Sequence, residues 1–192
     1  KGNLKKNNQL KFDLIDFKKK NNHILIKGLN LSKNFKIIDI EAFSINYRNN
    51  KKILNSLNLN KDNSNFIIEG DSFDASKIID TIMDNDEKNS SIFKNLNSKI
   101  NIRIKKTYID NINFFNNLNG SINYKNNKIK NAKLKSIFPN KKIIKLSINT
   151  NNNSEIITRL ISTYPKPLIK RYDFIKGFEE GNLDFYSLKK DG

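Results

Sequence analysis

The sequence has no cysteine, tryptophan or valine, and only one histidine and three prolines in 192 residues. The lack of cysteine excludes disulfides and thiolate metal sites. No window holds eighteen consecutive apolar residues and no signal peptide is visible, so we expect that this stretch neither spans a membrane nor carries its own targeting signal. The sequence begins at Lys1 without a methionine, and it stops at Gly192 partway through its pattern of strands. We therefore expect a piece of a longer protein.

Arginine is nearly absent, although the chain is strongly basic. Four arginines stand beside 32 lysines, 35 asparagines and 30 isoleucines, and the net charge is +17. Lysine, asparagine and isoleucine are the residues of A/T-rich codons, so part of this charge reflects nucleotide composition. Bidentate recognition of phosphates and bases prefers arginine. The composition therefore favours a solvated basic surface over a dedicated polyanion site.

Apolar and polar residues alternate with period two along most of the chain. Ile100, Ile102 and Ile104 share one face of a predicted strand, and so do Leu10, Phe12 and Leu14. Alternation of this kind is typical of antiparallel strands that bury one face and expose the other. The sequence therefore predicts a mainly β protein.

Two segments repeat at a nearly constant spacing. "SINYRNNK" from Ser44 returns as "SINYKNNK" from Ser121, 77 residues later, and "SKIIDTIM" (76–83) aligns with "SEIITRLI" (154–161) at a spacing of 78. Asn-Asn pairs in the first motif predict tight hairpins at 49–50 and 126–127. We expect a first β unit over 1–98, a second over 99–172, and the start of a third over 173–192.

Two short amphipathic helices are predicted, at about 74–84 and 154–164. In the first, an apolar stripe follows Asp74, and either Asp74 or Ser72 can cap the helix. In the second, Pro165 and Pro167 are expected to end the helix.

The "GDS" segment at 70–72 raises the possibility of an esterase nucleophile. Ser72 would need a base, and the single histidine, His23, lies far upstream on a strand. The acidic run 84–89 lacks the glycine and the glutamate that an EF-hand loop requires. We therefore expect no catalytic residue, no metal site, no cofactor and no enzymatic activity.

The order of motifs resembles the AsmA-like proteins of bacterial envelopes, and more closely the repeat-bearing region of their large YhdP-like and TamB-like relatives. A strand runs into "GDSFDASKIIDTI", a β meander follows around "LNGSI" (118–122), and a later strand precedes "NNNSEIITRLI". The likeness covers about two thirds of the chain, from Phe66 to Gly181. The later cap departs from the family pattern, because Asn152, Asn153 and Ser154 replace its acidic and glycine residues.

The resemblance implies repeated antiparallel β meanders that form an elongated groove, anchored in the membrane through parts of the parent chain. It implies a location on the periplasmic face of a Gram-negative inner membrane and a role in carrying phospholipid toward the outer membrane. The expected partners are phospholipid acyl chains, with neither nucleic acid nor a small-molecule substrate. Candidates for the groove lining are Ile100, Ile102, Ile104, Ile122, Tyr124, Ile144, Leu146 and Ile148.

Two other functions fit the same composition. One is a basic β-rich protein that binds nucleic acid through the +17 charge. The other is a structural repeat of the envelope that binds no ligand, in which the apolar faces are sealed against each other.

Overall fold

A computed structural model describes residues 2–5, 9–77, 93–151, 155–172 and 180–190. These residues form thirteen strands and one short helix, which confirms the prediction of a mainly β protein. The helix is α1 (Lys166–Tyr172). The strands are β1 (Gly2–Lys5), β2 (Gln9–Lys19), β3 (Asn22–Leu31), β4 (Ile37–Asp39), β5 (Ala42–Arg48), β6 (Leu54–Asp62), β7 (Asn65–Asp74), β8 (Ser98–Tyr108), β9 (Phe114–Lys125), β10 (Lys128–Ile137), β11 (Ile143–Thr150), β12 (Glu155–Ser162) and β13 (Leu183–Lys190).

All thirteen strands belong to one sheet, in which neighbours in sequence are almost always neighbours in space. The path runs from β1 to β13 in chain order, with the short β4 set beside the end of β3. Every pair is antiparallel except β7 with β8, which run parallel. The sheet is therefore mixed, and it continues across the predicted boundary at residue 98 because β8 pairs with β7.

Gly28 shifts the side-chain alternation within β3. Its φ is +59°, and a Cβ there would lie 2.8 Å from the Cβ of Glu41. Before Gly28 the half-buried apolar residues include Ile26, whereas after it the buried residue is Leu29. The partner strand shifts too: Ile15 is half-buried, whereas Leu14, predicted to share a face with Leu10 and Phe12, is 49% exposed.

The two predicted Asn-Asn hairpins differ in the structure. Asn126 and Asn127 both have positive φ (52° and 64°), as a two-residue turn between β9 and β10 requires. The connection between β5 and β6 is longer, and only Lys52 in it has positive φ. There the side chain of Asn49 accepts hydrogen bonds from the backbone N–H groups of Lys51 and Ile53, which supports a wider loop.

The predicted helix over 154–164 is wrong, because this segment contains strand β12. Isoleucine and threonine occupy 156–158, and such β-branched residues favour strands. Along its length β12 pairs with β11 on one side and with β13 on the other. The prolines begin a helix instead of ending one: α1 follows Pro165, whose carbonyl accepts hydrogen bonds from Leu168 and Ile169.

Only the start of the first predicted helix, 74–84, lies within the described residues. Ser76 and Lys77 are helical. The Asp74 carboxylate accepts a hydrogen bond from the Ser76 N–H at 3.1 Å, as predicted for a cap. The remainder, from 78 onward, lies outside the described residues.

Two buried clusters lie at different parts of the sheet. The first cluster is built on Leu29, Ile40 and Phe66, with Phe93 and Leu96 packed against it from the segment before β8. The second cluster joins the strand ends of β8 to β11 to the helix α1, and its buried members are Ile109, Phe115, Phe138, Ile144 and Leu168.

Candidate functional site

An uninterrupted series of apolar residues crosses the sheet from β2 to β13. Each member is the direct cross-strand partner of the next, and such partners point to the same side of a sheet. We call this series the apolar row and its side of the sheet the apolar face. Its members are Ile15, Ile26, Phe43, Leu59, Ile68, Ile102, Gly120, Leu134, Leu146, Leu160 and Phe185.

No member of the apolar row is fully buried. From Ile15 to Leu160 the residues are half-buried, and Phe185 at the end is 44% exposed. Strands lie about 4.8 Å apart, so ten steps between strands extend the row over roughly 48 Å along the sheet. The row is thus a long strip of apolar surface that keeps partial access to solvent.

The eight residues predicted to line a groove all lie on the apolar face. Ile102 and Leu146 belong to the row itself. Ile100, Ile122 and Ile148 belong to the parallel series beside it, in which Ala132 joins Ile122 to Ile148. The structure thus brings β8, β9 and β11 residues together on one side, as their alternation predicts.

The eight residues differ in exposure. Ile104 and Ile144 are buried at 6% and 7% relative exposure, whereas the other six are half-buried. Ile144 belongs to the second cluster and contributes to packing. Burial raises the pKa of the Tyr124 phenol, which therefore stays neutral at physiological pH. Of the eight, those that keep accessible apolar surface are Ile100, Ile102, Ile122, Tyr124, Leu146 and Ile148.

The predicted groove residues include only two of the eleven members of the apolar row, Ile102 and Leu146. Leu59 and Leu134 sit on strands whose alternation is visible, but only the register shows that they continue the series of Ile102 and Leu146. Leu160 lies in the segment that was predicted to be helical. In the sequence, Gly120 stands out only as part of the meander motif "LNGSI" (118–122). It occupies the centre of the row, where a Cβ would lie 1.9 Å from the carbonyl oxygen of Lys133.

The opposite side of the sheet, the polar face, carries ion pairs between neighbouring strands. Arg159 binds Asp184 through two hydrogen bonds of 2.9 and 2.6 Å and lowers the pKa of that carboxyl. Lys105 lies 2.8 Å from Asp71, whose hydrogen bond raises the pKa of the amine. These pairs are exposed, so each contributes little to stability. They do establish that the two faces of the sheet differ in chemistry.

A shallow concavity of about 370 Å³ opens on the polar face where β7 meets β8. Its lining includes Glu69, Asp71, Arg103 and Lys105, which form two ion pairs across the parallel strands. A site with this lining suits polar groups and does not suit an acyl chain.

The residues considered for catalysis lie apart and have structural contacts. The Ser72 hydroxyl donates to the Leu54 carbonyl on the neighbouring strand. His23 lies on β3, where its Nε2 is 2.8 Å from a carboxylate oxygen of Asp16. Hydrogen bonds from Lys18 and His23 lower the pKa of Asp16. The acidic run 84–89 lies outside the described residues.

Among the described residues, no group of three or more histidines and carboxylates is placed to hold a metal ion. In the same part of the chain, no helix is both long and apolar enough to cross a membrane.

Comparison of the chain with protein-family models, with curated proteins and with solved structures finds no match. The resemblance to AsmA-like proteins therefore rests on the sequence motifs.

Proposed function

We propose that the chain is a β-groove module that binds phospholipid acyl chains on its apolar face and conducts them along the sheet. The observation that carries this proposal is the apolar row, which crosses eleven strands without a charged residue and keeps partial exposure throughout. In the proposed setting, the module belongs to an AsmA-like protein on the periplasmic face of an inner membrane, and lipid moves toward the outer membrane.

The energetics of lipid transfer suit a surface of this kind. Moving an acyl chain of about sixteen carbons into water costs on the order of 12 kcal/mol, at roughly 0.8 kcal/mol per methylene. Contact with isoleucine, leucine and phenylalanine side chains offsets most of that cost. A strip of roughly 48 Å is about three times as long as the depth of one hydrocarbon leaflet, roughly 15 Å. It can therefore hold acyl chains at several successive positions.

Conduction of lipid requires no reacting group, and the proposal assigns none. A sliding ligand needs a surface without deep local minima, so that it is neither expelled nor trapped. Most members of the row, such as Ile68, Ile102 and Leu146, have aliphatic side chains of similar size, which suits that requirement. The polar face of β7 and β8, with ion pairs such as Glu69–Arg103, would remain in water.

Site-specific photo-crosslinking tests the proposal. A photoreactive residue at Ile102 or Leu146 is expected to capture phospholipid during expression in a bacterial host, and native mass spectrometry is expected to detect co-purified lipid. The matched controls are Asn101 and Ser147, the adjacent residues on the polar face, which should capture little. Equal capture on both faces, or none on either, would favour the ligand-free scaffold.

A polar substitution within the row gives a second readout. Leu146→Asn keeps the approximate size of the side chain but places an amide in the acyl path, where it lacks hydrogen-bond partners. We expect co-purified lipid to fall severalfold. Ser147→Asn, on the other face of the same strand, should leave the lipid content unchanged.

A further inference from the structure

The segment between Asp110 and Glu155 contains no aspartate or glutamate. It covers β9, β10 and β11, which therefore carry positive charge only. On the polar face, Lys135 of β10 and Lys145 of β11 are direct cross-strand partners, and Lys133 lies two residues from Lys135 on the same side. All three are exposed.

Like charges directly opposite each other destabilise a sheet. Among the described residues, none of these three lysines forms an ion pair. Three other cations on the same face, Arg103, Lys105 and Arg159, are each paired with a carboxylate. An external anionic surface would relieve this repulsion. The arrangement is therefore suited to an anionic partner.

Exposed apolar side chains lie on the same face beside these lysines. Ile143 is 44% exposed and precedes Lys145 by two residues on β11. Tyr186 and Leu188 on β13 are 60% and 52% exposed. Ser147 is the cross-strand partner of Lys133, Arg159 is the partner of Ser147, and Tyr186 is the partner of Arg159. The lysines and Tyr186 therefore belong to one surface.

Basic charge combined with exposed aliphatic and aromatic groups is the chemistry of a peripheral membrane surface. Lysines attract anionic headgroups, and apolar side chains gain free energy by entering the interface between headgroups and acyl chains. A nucleic acid would engage the lysines, but Ile143 and Leu188 would gain nothing from phosphates. Tyrosine is also favoured at the membrane–water interface.

We propose that the polar face of β10 to β13 docks on the surface of an anionic phospholipid bilayer. The docking surface consists of Lys133, Lys135, Ile143, Lys145, Tyr186 and Leu188. It lies on the side of the sheet opposite the apolar row, so docking and acyl-chain binding use separate residues and can fail separately.

Vesicle flotation tests the docking surface. The full chain is mixed with vesicles of phosphatidylcholine and phosphatidylglycerol (seven to three) or of phosphatidylcholine alone. We expect binding to the anionic vesicles only, and weaker binding at high salt because screening shortens the range of the attraction. The triple variant K133Q/K135Q/K145Q should lose on the order of a hundredfold in vesicle affinity, since each lysine near an anionic surface contributes about fivefold.

Two control variants separate the docking surface from general effects. K19Q/K20Q/K27Q removes the same charge elsewhere on the chain and should retain most of the affinity. Y186S/L188S should weaken vesicle binding at every salt concentration, whereas F35S/I112S, which removes two exposed apolar side chains from loops, should not. Circular dichroism and thermal unfolding verify that each variant is folded.

Two results would overturn the proposal. One is an equal loss of vesicle affinity in K133Q/K135Q/K145Q and in the control K19Q/K20Q/K27Q, which would indicate attraction by net charge alone. The other is tighter binding to a DNA duplex than to vesicles, together with no effect of Y186S/L188S, which would indicate a nucleic-acid surface. Neither result bears on lipid capture at Ile102 and Leu146, so the proposed groove is judged independently.

Discussion

Gly120 lies at the centre of the apolar row, between Ile102 and Leu134. Its φ is +152°, and a Cβ would meet the backbone of Lys133 and Leu134 at 1.9 and 2.9 Å. The close approach of β10 at this point leaves no space for a side chain. Glycine is therefore required by packing at this position.

We expect Gly120→Ala to lower the free energy of unfolding by about 2 kcal/mol or more, from overpacking and backbone strain together. Urea denaturation measures the change. Gly181→Ala is the matched control, because Gly181 also has positive φ (92°) but a Cβ there has no neighbour within 4 Å. If Gly181→Ala lowers the free energy of unfolding as much as Gly120→Ala does, backbone strain alone explains the effect.

Asp74 is a mostly buried carboxylate at the end of β7, with 8% side-chain exposure. Burial by itself raises the pKa of this carboxyl. Hydrogen bonds from Ser76 and Asn49 and the charge of Lys51 outweigh burial, so the pKa lies below its ordinary 3.8. The ionised form is thus the one that the folded state favours.

The sign of the resulting pH dependence follows from this lowered pKa. The stabilisation by Asp74 is fully present well above pH 3.8 and is lost as the pH falls through 3.8 toward the folded-state value. We expect Asp74→Asn to lower the free energy of unfolding by about 1–3 kcal/mol at pH 7, and by less at pH 3. Denaturant titrations at both pH values measure the two differences, and an equal loss at both would contradict the prediction.

At the scale of elements, β12 shows why a strand was predicted as a helix. Apolar residues at 156, 157, 160 and 161 fit one face of a helix, but they equally fit a strand that is apolar on both faces. In the structure Leu160 joins the apolar row, whereas Ile157 and Ile161 lie on the other side. A short apolar run does not distinguish a helix from such a strand. This segment forms a strand because β11 and β13 are available as partners on its two sides.

The helix α1 attaches to the sheet through the second cluster. Leu168 is 6% exposed and belongs to the same buried group as Phe138 and Ile144. Phe138 also packs edge-on against Tyr164, with ring centroids 5.2 Å apart. Leu168→Ala should therefore cost about 2–4 kcal/mol through lost burial and the cavity left behind.

Chemical denaturation of L168A and I112A tests this attachment. Ile112 is 82% exposed, so truncation there should change the free energy of unfolding by less than about 0.5 kcal/mol. Similar values for the two variants would show that α1 is not packed on the cluster.

At the scale of the whole molecule, protection from solvent should decline toward the ends of the sheet. β8 has a strand on each side, β7 and β9, whereas β13 pairs only with β12 among the described residues. Amide hydrogen exchange, read by mass spectrometry of peptides, should be slower in β8 than in β13 by at least tenfold, because half of the backbone groups of β13 have no strand partner. Equal rates would indicate that another segment covers β13.

The alternation of residues was enough to predict antiparallel strands and the shared face of Ile102 and Leu146. It could not predict the apolar row, because register depends on turn geometry and on phase shifts such as the one at Gly28. It also could not predict the parallel pair, since a pairing between distant strands leaves no local pattern. The docking surface can be identified only when the register and the exposures of Tyr186 and Leu188 are known. The sequence by itself shows only that one stretch lacks acidic residues.

The parallel pairing of β7 with β8 has a consequence for how the chain acquires its structure. Glu69 and Arg103, partners across this junction, are 34 residues apart, whereas the hairpins on either side join residues that are close in sequence. Contacts between distant residues form more slowly because a longer loop must close first. The meanders before and after the junction should therefore assemble early and separately, and their late union would set the folding rate.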